Sequence, residues 1–251
     1  MTDIILCGCG GKMGRVVTAL AKEDPDVRIV AGVDPASAGD GGYPVFESIE
    51  YCDIPADVIV DFSSSQALDG ILRTAAEKKL PAVLCSTGYS AEQLERIREV
   101  SGQVALLRSA NMSLGVNTIL KLVQAAAQVL AEEGFDIEIV EKHHNQKLDA
   151  PSGTAIALAD AMNEVLKNEY FYTYDRSEVR RKRDKKEIGI SSVRGGSIVG
   201  EHEVIFAGTD EVVTISHTAY SRAIFGKGAL AAAKFLAGKK PGLYSMQDVI
   251  G

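Results

Sequence analysis

The sequence predicts an α/β fold of two domains, and three observations support this. Short apolar segments alternate with amphipathic ones through the first half of the chain, the pattern of a parallel sheet covered by helices on both faces. The second half contains strand-like segments in which polar and apolar residues alternate, which indicates a half-buried sheet. The length of 251 residues supplies enough material for two modest domains.

The first domain is predicted to alternate strands and helices. The first strand covers residues 3–7 and ends at glycines, and further strands begin near 27, 56, 81 and 104. Each intervening helix carries an apolar face at helical spacing. These faces consist of Met13, Val16, Val17 and Leu20, then Leu68, Ile71, Leu72 and Ala75, then Leu94 and Ile97.

The second domain is predicted to combine an antiparallel or mixed sheet with helices on one face. A long helix at about 114–133 precedes the strand-like segment FDIEIVEKHH, and another helix starts at Pro151. Further strand-like segments lie near 187–193, 198–206 and 211–218, before a final helix at 222–237. We therefore predict one domain at 1–112 and 222–251, with the final helix returning to it, and a second domain at 113–221.

Composition excludes several function classes. The net charge of −7 argues against a broad nucleic-acid surface, and no apolar run approaches the roughly 18 residues of a membrane span. The N-terminus shows no basic region or cleavage site, so we expect a cytoplasmic protein. The four cysteines show no paired CxxC spacing, so we expect free thiols and no metal site.

The segment GCGGKMG (8–14) predicts a dinucleotide-binding loop between the first strand and the first helix. Gly8, Gly11 and Gly14 form GxxGxxG in place of the strict GxGxxG spacing. Glycine permits the tight turn and close backbone approach, and the N–H groups at a helix start attract a pyrophosphate. Asp34 ends the second strand about twenty residues later, where a carboxylate binds the adenosine ribose hydroxyls.

Two later segments extend the predicted cofactor site. CSTG (85–88) and SANMS (109–113) each follow a predicted strand, and ligands of open α/β sheets bind at the carboxyl ends of the strands. Ordinary turn chemistry explains either segment equally well when it is taken alone.

The segment EKHHNQKLDAPSGTA (141–155) brings possible proton donors next to a possible anion receptor. The strand is predicted to end here, so that His143 and His144 both become available, with Lys147 close to His143. Neighbouring cations depress each other's pKa, which favours proton donation near neutrality. Pro151 suits the first turn of a helix, and the N–H groups of Ser152–Thr154 are expected to be free to bind a carboxylate.

These residues resemble the signature of the 4-hydroxy-tetrahydrodipicolinate reductase family, formerly called dihydrodipicolinate reductases, of lysine and diaminopimelate biosynthesis. The match rests on Glu141, Lys142, His143, His144, Lys147, Asp149 and the run from Ala150 to Ala155. It extends over essentially the whole chain through the GxxGxMG start, the STG and SANMSLGVN segments, RGGSIVGEHEV (194–204) and the SR at 221–222.

The resemblance implies an N-terminal Rossmann domain completed by the C-terminal helix, and a central α+β domain that binds substrate and builds a homotetramer. It implies reduction of a small cyclic unsaturated dicarboxylate by NADH or NADPH. His143 would be the proton donor and acceptor, Lys147 a proton donor, and His144, Gly153 and Thr154 would bind the substrate carboxylates. The cofactor would contact Gly8, Cys9, Gly10, Gly11, Lys12, Met13, Asp34, Cys85, Ser86, Thr87, Ser109, Ala110, Asn111 and Met112.

Two other functions remain open at this point: another two-domain nicotinamide-dependent oxidoreductase, and a dinucleotide-sensing regulator without catalysis. The set of His143, Lys147 and Ser152–Thr154 argues against a regulator, because a sensor does not require a proton donor beside a carboxylate receptor. The charged segment 175–187 is either a solvated loop or a flap over an anionic ligand.

Overall fold

The computed structural model describes residues 1–36, 39, 41–109, 111–177 and 180–251. The chain divides into two units, one formed by Met1–Leu114 with Arg222–Gly251 and the other by Gly115–Ser221. The final helix and the tail therefore belong to the same unit as the N-terminal segment.

Strands and helices alternate along the N-terminal segment. In chain order they are β1 (Thr2–Cys7), α1 (Lys12–Glu23), β2 (Val27–Val33), β3 (Val45–Phe46), β4 (Val58–Asp61), α2 (Leu68–Lys78), β5 (Ala82–Leu84), α3 (Ala91–Ser101) and β6 (Ala105–Arg108). The central segment contains α4 (Leu114–Leu130), β7 (Asp136–His143), α5 (Gly153–Val165), β8 (Phe171–Thr173), β9 (Glu187–Arg194), β10 (Gly200–Ala207) and β11 (Val212–Ala219). The C-terminal segment contains α6 (Ala223–Leu236), β12 (Gly242–Tyr244) and α7 (Met246–Ile250).

The strands of the first unit form a parallel sheet in the order β12-β6-β5-β4-β1-β2-β3. Alternate residues of β1 enter two cores: Ile4 and Leu6 pack with α1, α6 and α7, whereas Ile5 and Cys7 pack with α2 and α3. Both faces of the sheet are thus covered by helices, which explains why its strands are almost entirely apolar. The order reverses between β1 and β4, and ligands of such sheets bind at this switch point.

The second unit contains a mixed sheet in the order β11-β10-β7-β9-β8. Strand β10 runs antiparallel to β7 and β11, whereas β7, β9 and β8 are parallel. Buried and half-buried residues alternate along β7, and Ile137 and Ile139 share a core with Val123 of α4 and Leu158 of α5. The predicted α/β fold class, with a parallel sheet and a separate mixed sheet, is confirmed.

Three local predictions were incomplete. Helix α5 begins at Gly153 with Ser152 as its N-cap, so Pro151 precedes the helix. No element was predicted after the final helix, but β12 pairs with β6 at the sheet edge and the side chain of Met246 is fully buried. The short strands β3 and β8 were not predicted from the sequence either.

Candidate active site

The glycine loop connects β1 to α1, and two of its glycines are required by close backbone contacts. Gly8 has φ +74°, and an added Cβ would lie 2.6 Å from the carbonyl oxygen of Phe62. A Cβ on Gly14 would lie 2.2 Å from the carbonyl oxygen of Gly8. Gly14 therefore provides the close helix–strand packing that the third glycine of the strict motif normally provides. Gly11 is the N-cap of α1 and has no side chain over the first N–H groups.

Asp34 follows β2 and orders the glycine loop. Its Oδ2 accepts a hydrogen bond from the Gly10 N–H at 3.0 Å, and its Oδ1 accepts one from the Ala36 N–H at 2.9 Å. A cleft of about 550 Å³ opens beside the carboxylate, and its lining includes Gly8 and Gly11. Glu47 and Glu50 also line it. The part of this lining that the structure describes includes no lysine or arginine.

The two later segments of the predicted cofactor site lie at the same end of the sheet, directly after β5 and β6. Cys85 is half-buried, Ser86 is buried and Thr87 is exposed. The hydroxyl of Ser109 donates to the carbonyl oxygen of Asn111 at 2.9 Å. Ala110 lies outside the described residues.

Two of the predicted cofactor contacts have side chains that belong to the core. Cys9 is 6% exposed, and Met112 is 4% exposed and packs beneath α6. At these positions only the backbone is available for a ligand. Lys12 and Met13 begin α1, where Lys12 is exposed and Met13 is half-buried.

Asp61 is a buried acid that the sequence analysis did not single out. It ends β4, is fully buried, and accepts hydrogen bonds from both the N–H and the hydroxyl of Ser63. Burial raises the pKa of Asp61, against the hydrogen bonds from Ser63. The carboxylate fixes the segment against which Gly8 packs. The sequence feature that could have identified Asp61 is an acidic residue at the end of an otherwise apolar strand.

In the second unit, His143 ends β7 and is held by a buried carboxylate. Its Nδ1 lies 2.6 Å from Oε2 of Glu141, two residues earlier on the same face of the strand. Arg194 of β9 donates to both oxygens of Glu141, at 2.8 and 2.7 Å. Burial opposes the charge of Glu141, but hydrogen bonds from Arg194, Ser192, His143 and the Ser152 N–H outweigh it and lower the pKa to about 2.

The start of α5 differs from the expected anion receptor at Ser152. The N–H of Ser152 is not free, because it donates to Oε1 of Glu141 at 3.0 Å. No local sequence pattern predicts this bond, because the acceptor comes from the neighbouring strand. The Ser152 hydroxyl caps the helix by accepting from the Ala155 N–H. Gly153 and Thr154 form the first turn, and a Cβ added to Gly153 would meet no atom within 4 Å.

His144 and Lys147 lie in the turn between β7 and α5. The Lys147 N–H donates to the carbonyl oxygen of His144, which closes this turn. The ammonium group of Lys147 donates to Asp149 Oδ1 at 2.8 Å. That bond lowers the pKa of the exposed Asp149 carboxyl, and the Gly153 N–H contributes in the same direction. His143, His144, Lys147, Gly153 and Thr154 are therefore brought together within one unit.

His202 of β10 completes this arrangement and was not predicted. It is the register partner of Glu141, its Nε2 lies 2.9 Å from the Ser152 hydroxyl, and its ring meets His143 edge-on with centroids 5.1 Å apart. Burial first, and then electrostatic repulsion from the neighbouring His143 ring, lower the pKa of His202 to about 4. Buried and half-buried residues alternate along GEHEV, and His202 lies on the buried face with Val204. This alternation is the sequence feature that could have predicted a buried His202.

The charged segment 175–187 is anchored to the second unit through some of its arginines. Arg183 donates to Asp136 and Glu138 of β7, and Arg176 donates to Glu138 and to the buried Glu187. Residues 178 and 179 lie outside the described part of the chain. These ion pairs favour a structural role for Arg176 and Arg183 over a flap that binds a ligand.

Comparison with known proteins identifies the family of this chain. Residues 2–112 match the family model described as dihydrodipicolinate reductase, N-terminus, and residues 115–250 match the one described as dihydrodipicolinate reductase, C-terminus. The chain belongs to the dihydrodipicolinate reductase family. The 4-hydroxy-tetrahydrodipicolinate reductases of Caldanaerobacter subterraneus subsp. tengcongensis and Clostridium novyi are 53% and 49% identical over 250 residues, covering 100% of this chain and 98% of each relative.

A solved structure of a dipicolinate-bound dihydrodipicolinate reductase from a Paenisporosarcina species shares the fold. It superposes with a TM-score of 0.84 at 24% identity and covers 99% of both chains. Membership of the dihydrodipicolinate reductase family confirms the resemblance inferred from the sequence. The family model and these relatives also confirm the predicted NAD(P)H-dependent reductase function in lysine biosynthesis. Among the described residues, no helix is both long and apolar enough to cross a bilayer.

Proposed function

We propose that this chain reduces dihydrodipicolinate, or the 4-hydroxy-tetrahydrodipicolinate from which it forms by loss of water, to tetrahydrodipicolinate with NADH or NADPH. The observation that carries the proposal is the arrangement at the end of β7, where Glu141 holds His143 beside the first turn of α5. This arrangement combines a proton-transfer group with an anion receptor, as reduction of an unsaturated dicarboxylate requires.

We assign the dinucleotide to the first unit, at Gly8–Met13, Asp34, Cys85–Thr87 and Ser109–Met112. The fit rests on the lack of space for a side chain at Gly8, the uncapped start of α1 at Gly11, and the Asp34 carboxylate beside the cleft. When bound, the reduced nicotinamide supplies the hydride. The backbone N–H groups of Lys12 and Met13, at the uncapped start of α1, hold the pyrophosphate, and Asp34 accepts hydrogen bonds from the ribose hydroxyls.

We assign the substrate to the second unit. His144, Gly153 and Thr154 bind its carboxylates, because the open first turn of α5 presents the positive end of the helix dipole. Addition of a hydride to one carbon of a conjugated double bond leaves a negative charge that must be protonated at the neighbouring carbon. His143 acts there as proton donor and acceptor through Nε2, and Lys147 acts as a proton donor through its ammonium group.

We further propose that the protein is a cytoplasmic homotetramer assembled through the second unit. Strand β11 is an edge strand of its sheet and exposes Val212 and Val213, 62% and 36% accessible. A long edge strand with exposed apolar residues is a ready site for association with another chain.

A kinetic assay tests the proposed reduction. The loss of NADH absorbance is followed with substrate generated in situ, for the wild type and for His143→Ala and Lys147→Ala. We expect turnover in both variants to fall by roughly 10²–10⁴, the usual cost of removing a positioned general acid, with little change in NADH affinity. Lys182→Ala, an exposed lysine of the same unit, serves as the matched control. Normal turnover in both site variants would remove the catalytic assignment, and NADH binding without turnover in the wild type would favour a sensor.

A further inference from the structure

Glu141 is a fully buried carboxylate that receives hydrogen bonds from three different structural elements. Oε1 accepts from Arg194 Nη2 at 2.7 Å and from the Ser152 N–H at 3.0 Å. Oε2 accepts from Arg194 Nη1 at 2.8 Å and lies 2.6 Å from His143 Nδ1. Because the bidentate guanidinium compensates the buried charge, the carboxylate remains ionised and acts only as an acceptor.

This bonding pattern determines which nitrogen of His143 carries the proton. An ionised carboxylate has no hydrogen to give, so Nδ1 must donate to Oε2. Nε2 is then the ring atom available to exchange a proton with a ligand. The ring lies close to Gly200 of β10, where an added Cβ would be 3.1 Å from Nε2, so this position leaves little room for a side chain.

The same carboxylate holds the start of α5. Its bond from the Ser152 N–H fixes the N-cap residue, whose hydroxyl accepts from Ala155 and meets His202. The proton-transfer group and the helix start thus share one anchor on β7, and a shift of Glu141 would displace both.

We propose that Glu141 is a positioning residue that fixes His143 in the Nδ1–H tautomer, with Nε2 toward the substrate, and that it holds the first turn of α5 in register with that ring. The proposal deepens the proposed function, because it assumes that His143 transfers the proton. Glu141 does not touch the substrate; it acts through His143 and Ser152.

The substitution Glu141→Gln tests this role with almost no change in shape. Oε1 faces two groups that can only donate, whereas Oε2 faces one such group, Arg194 Nη1, and the His143 ring nitrogen, which accepts in one tautomer. The amide oxygen should therefore take the Oε1 place, and the amide nitrogen should face His143 at the cost of the bond from Arg194 Nη1. The amide N–H then donates to Nδ1, and the ring switches to the Nε2–H tautomer. The neutral Nε2–H ring is a poor acid, and the amide cannot stabilise the imidazolium that donates the proton from Nε2 in the wild type. We therefore expect kcat to fall by roughly 10²–10⁴, the usual cost of losing a positioned general acid or base, while the KM for NADH stays within about twofold of the wild type, since the cofactor is assigned to the other unit.

The tautomer itself is read by ¹⁵N NMR of protein labelled at histidine, which is practical because the chain contains only four histidines. The His143 signal is identified with a His143→Asn variant. We expect Nδ1–H in the wild type and Nε2–H in Glu141→Gln. Glu138→Gln is the matched control, because Glu138 lies on the opposite face of β7 and is also paired with arginines; it should retain both kcat and the wild-type tautomer.

Two results would overturn the proposal. One is an Nε2–H tautomer for His143 in the wild type, a measurement that needs no folded variant of Glu141. The other is a folded Glu141→Gln protein whose kcat stays within about twofold of the wild type. Failure of the proposed function gives a different result: the wild type itself would show no substrate-dependent NADH oxidation, while the tautomer would still be measurable.

Discussion

At the scale of single residues, the surroundings of His202 make its protonation unfavourable. The side chain is 4% exposed, and its Nδ1 is buried without a partner among the described residues. A charge at this position would be poorly solvated and would lie beside His143. His202 therefore remains neutral, and its Nε2 makes one hydrogen bond with the Ser152 hydroxyl.

The first prediction concerns stability at acid pH. The pKa of His202 is about 4 in the folded protein, against an ordinary value of 6.5 for histidine. Between these values the unfolded chain binds a proton that the folded protein does not, so stability is full above pH 6.5 and falls as the pH drops toward 4. The loss amounts to about 3 kcal/mol. Urea unfolding from pH 7.5 to 4 should show a shallower decline for His202→Gln, with parallel curves above pH 7. An equally steep decline in the variant would contradict this assignment.

The second prediction concerns the choice between NADH and NADPH. Asp34 repels a 2′-phosphate, Pro35 after it carries no charge, and Glu47 and Glu50 line the same cleft. Lys12, exposed at the start of α1, is the nearby cation that can engage the phosphate as a flexible point charge. We therefore expect NADH to be preferred, with some use of NADPH.

Steady-state kinetics with each cofactor tests this preference. Lys12→Ala should reduce kcat/KM for NADPH more than for NADH, whereas Lys22→Ala, in the last turn of the same helix, should leave the ratio unchanged. A clear preference of the wild type for NADPH would show that the effect of Asp34 has been misjudged.

At the scale of secondary structure elements, the start of α5 determines how a carboxylate can be bound. Because a Cβ on Gly153 meets no atom within 4 Å, Gly153→Val should fold normally and fill the space assigned to the substrate. We expect a large rise in the KM for the substrate, with an unchanged KM for NADH. Thr154→Ala removes one charge-assisted hydrogen bond, about 1.5–3 kcal/mol, and should have the smaller effect. An unchanged substrate KM in Gly153→Val would place the carboxylate elsewhere.

The C-terminal elements complete the edge and one face of the parallel sheet. Met246, at the start of α7, has a fully buried side chain in the core shared with α1 and α6. Met246→Ala should therefore cost about 2–5 kcal/mol of stability. Leu243→Ala, in β12 and 47% exposed, should cost far less. Thermal unfolding of both variants checks this, and equal losses would argue against a buried Met246.

Elements with a strong local pattern could be predicted from the sequence, and those that depend on distant partners could not. Helix α1 begins at Lys12 and ends at Glu23, the span of the amphipathic segment. Strand β12 has three residues and becomes a strand only because it pairs with β6, far away in sequence. The bond from Ser152 to Glu141 and the contact of His202 with Ser152 likewise require the register of β7 and β10. Such a register is fixed by tertiary packing, which one sequence does not display.

At the scale of the whole molecule, we propose that the cofactor binds to one unit and the substrate to the other. The proposed tetramer is assigned to the second unit, through the exposed edge of its sheet. Val212→Lys should therefore reduce the mass in solution, measured by light scattering, below four times the chain mass. Val129→Lys, at an exposed position of α4, should not. A wild-type protein that is monomeric at micromolar concentration would contradict the assembly.

The most direct test of the central claim is the transfer of an isotope label from cofactor to product. The wild type is given NADH deuterated at the transferable position of nicotinamide C4, together with 4-hydroxy-tetrahydrodipicolinate generated in situ, and the product is analysed by mass spectrometry. We predict tetrahydrodipicolinate that carries one deuterium at carbon, formed in step with the loss of NADH. Tetrahydrodipicolinate without the label, or loss of NADH without this product, would contradict the account.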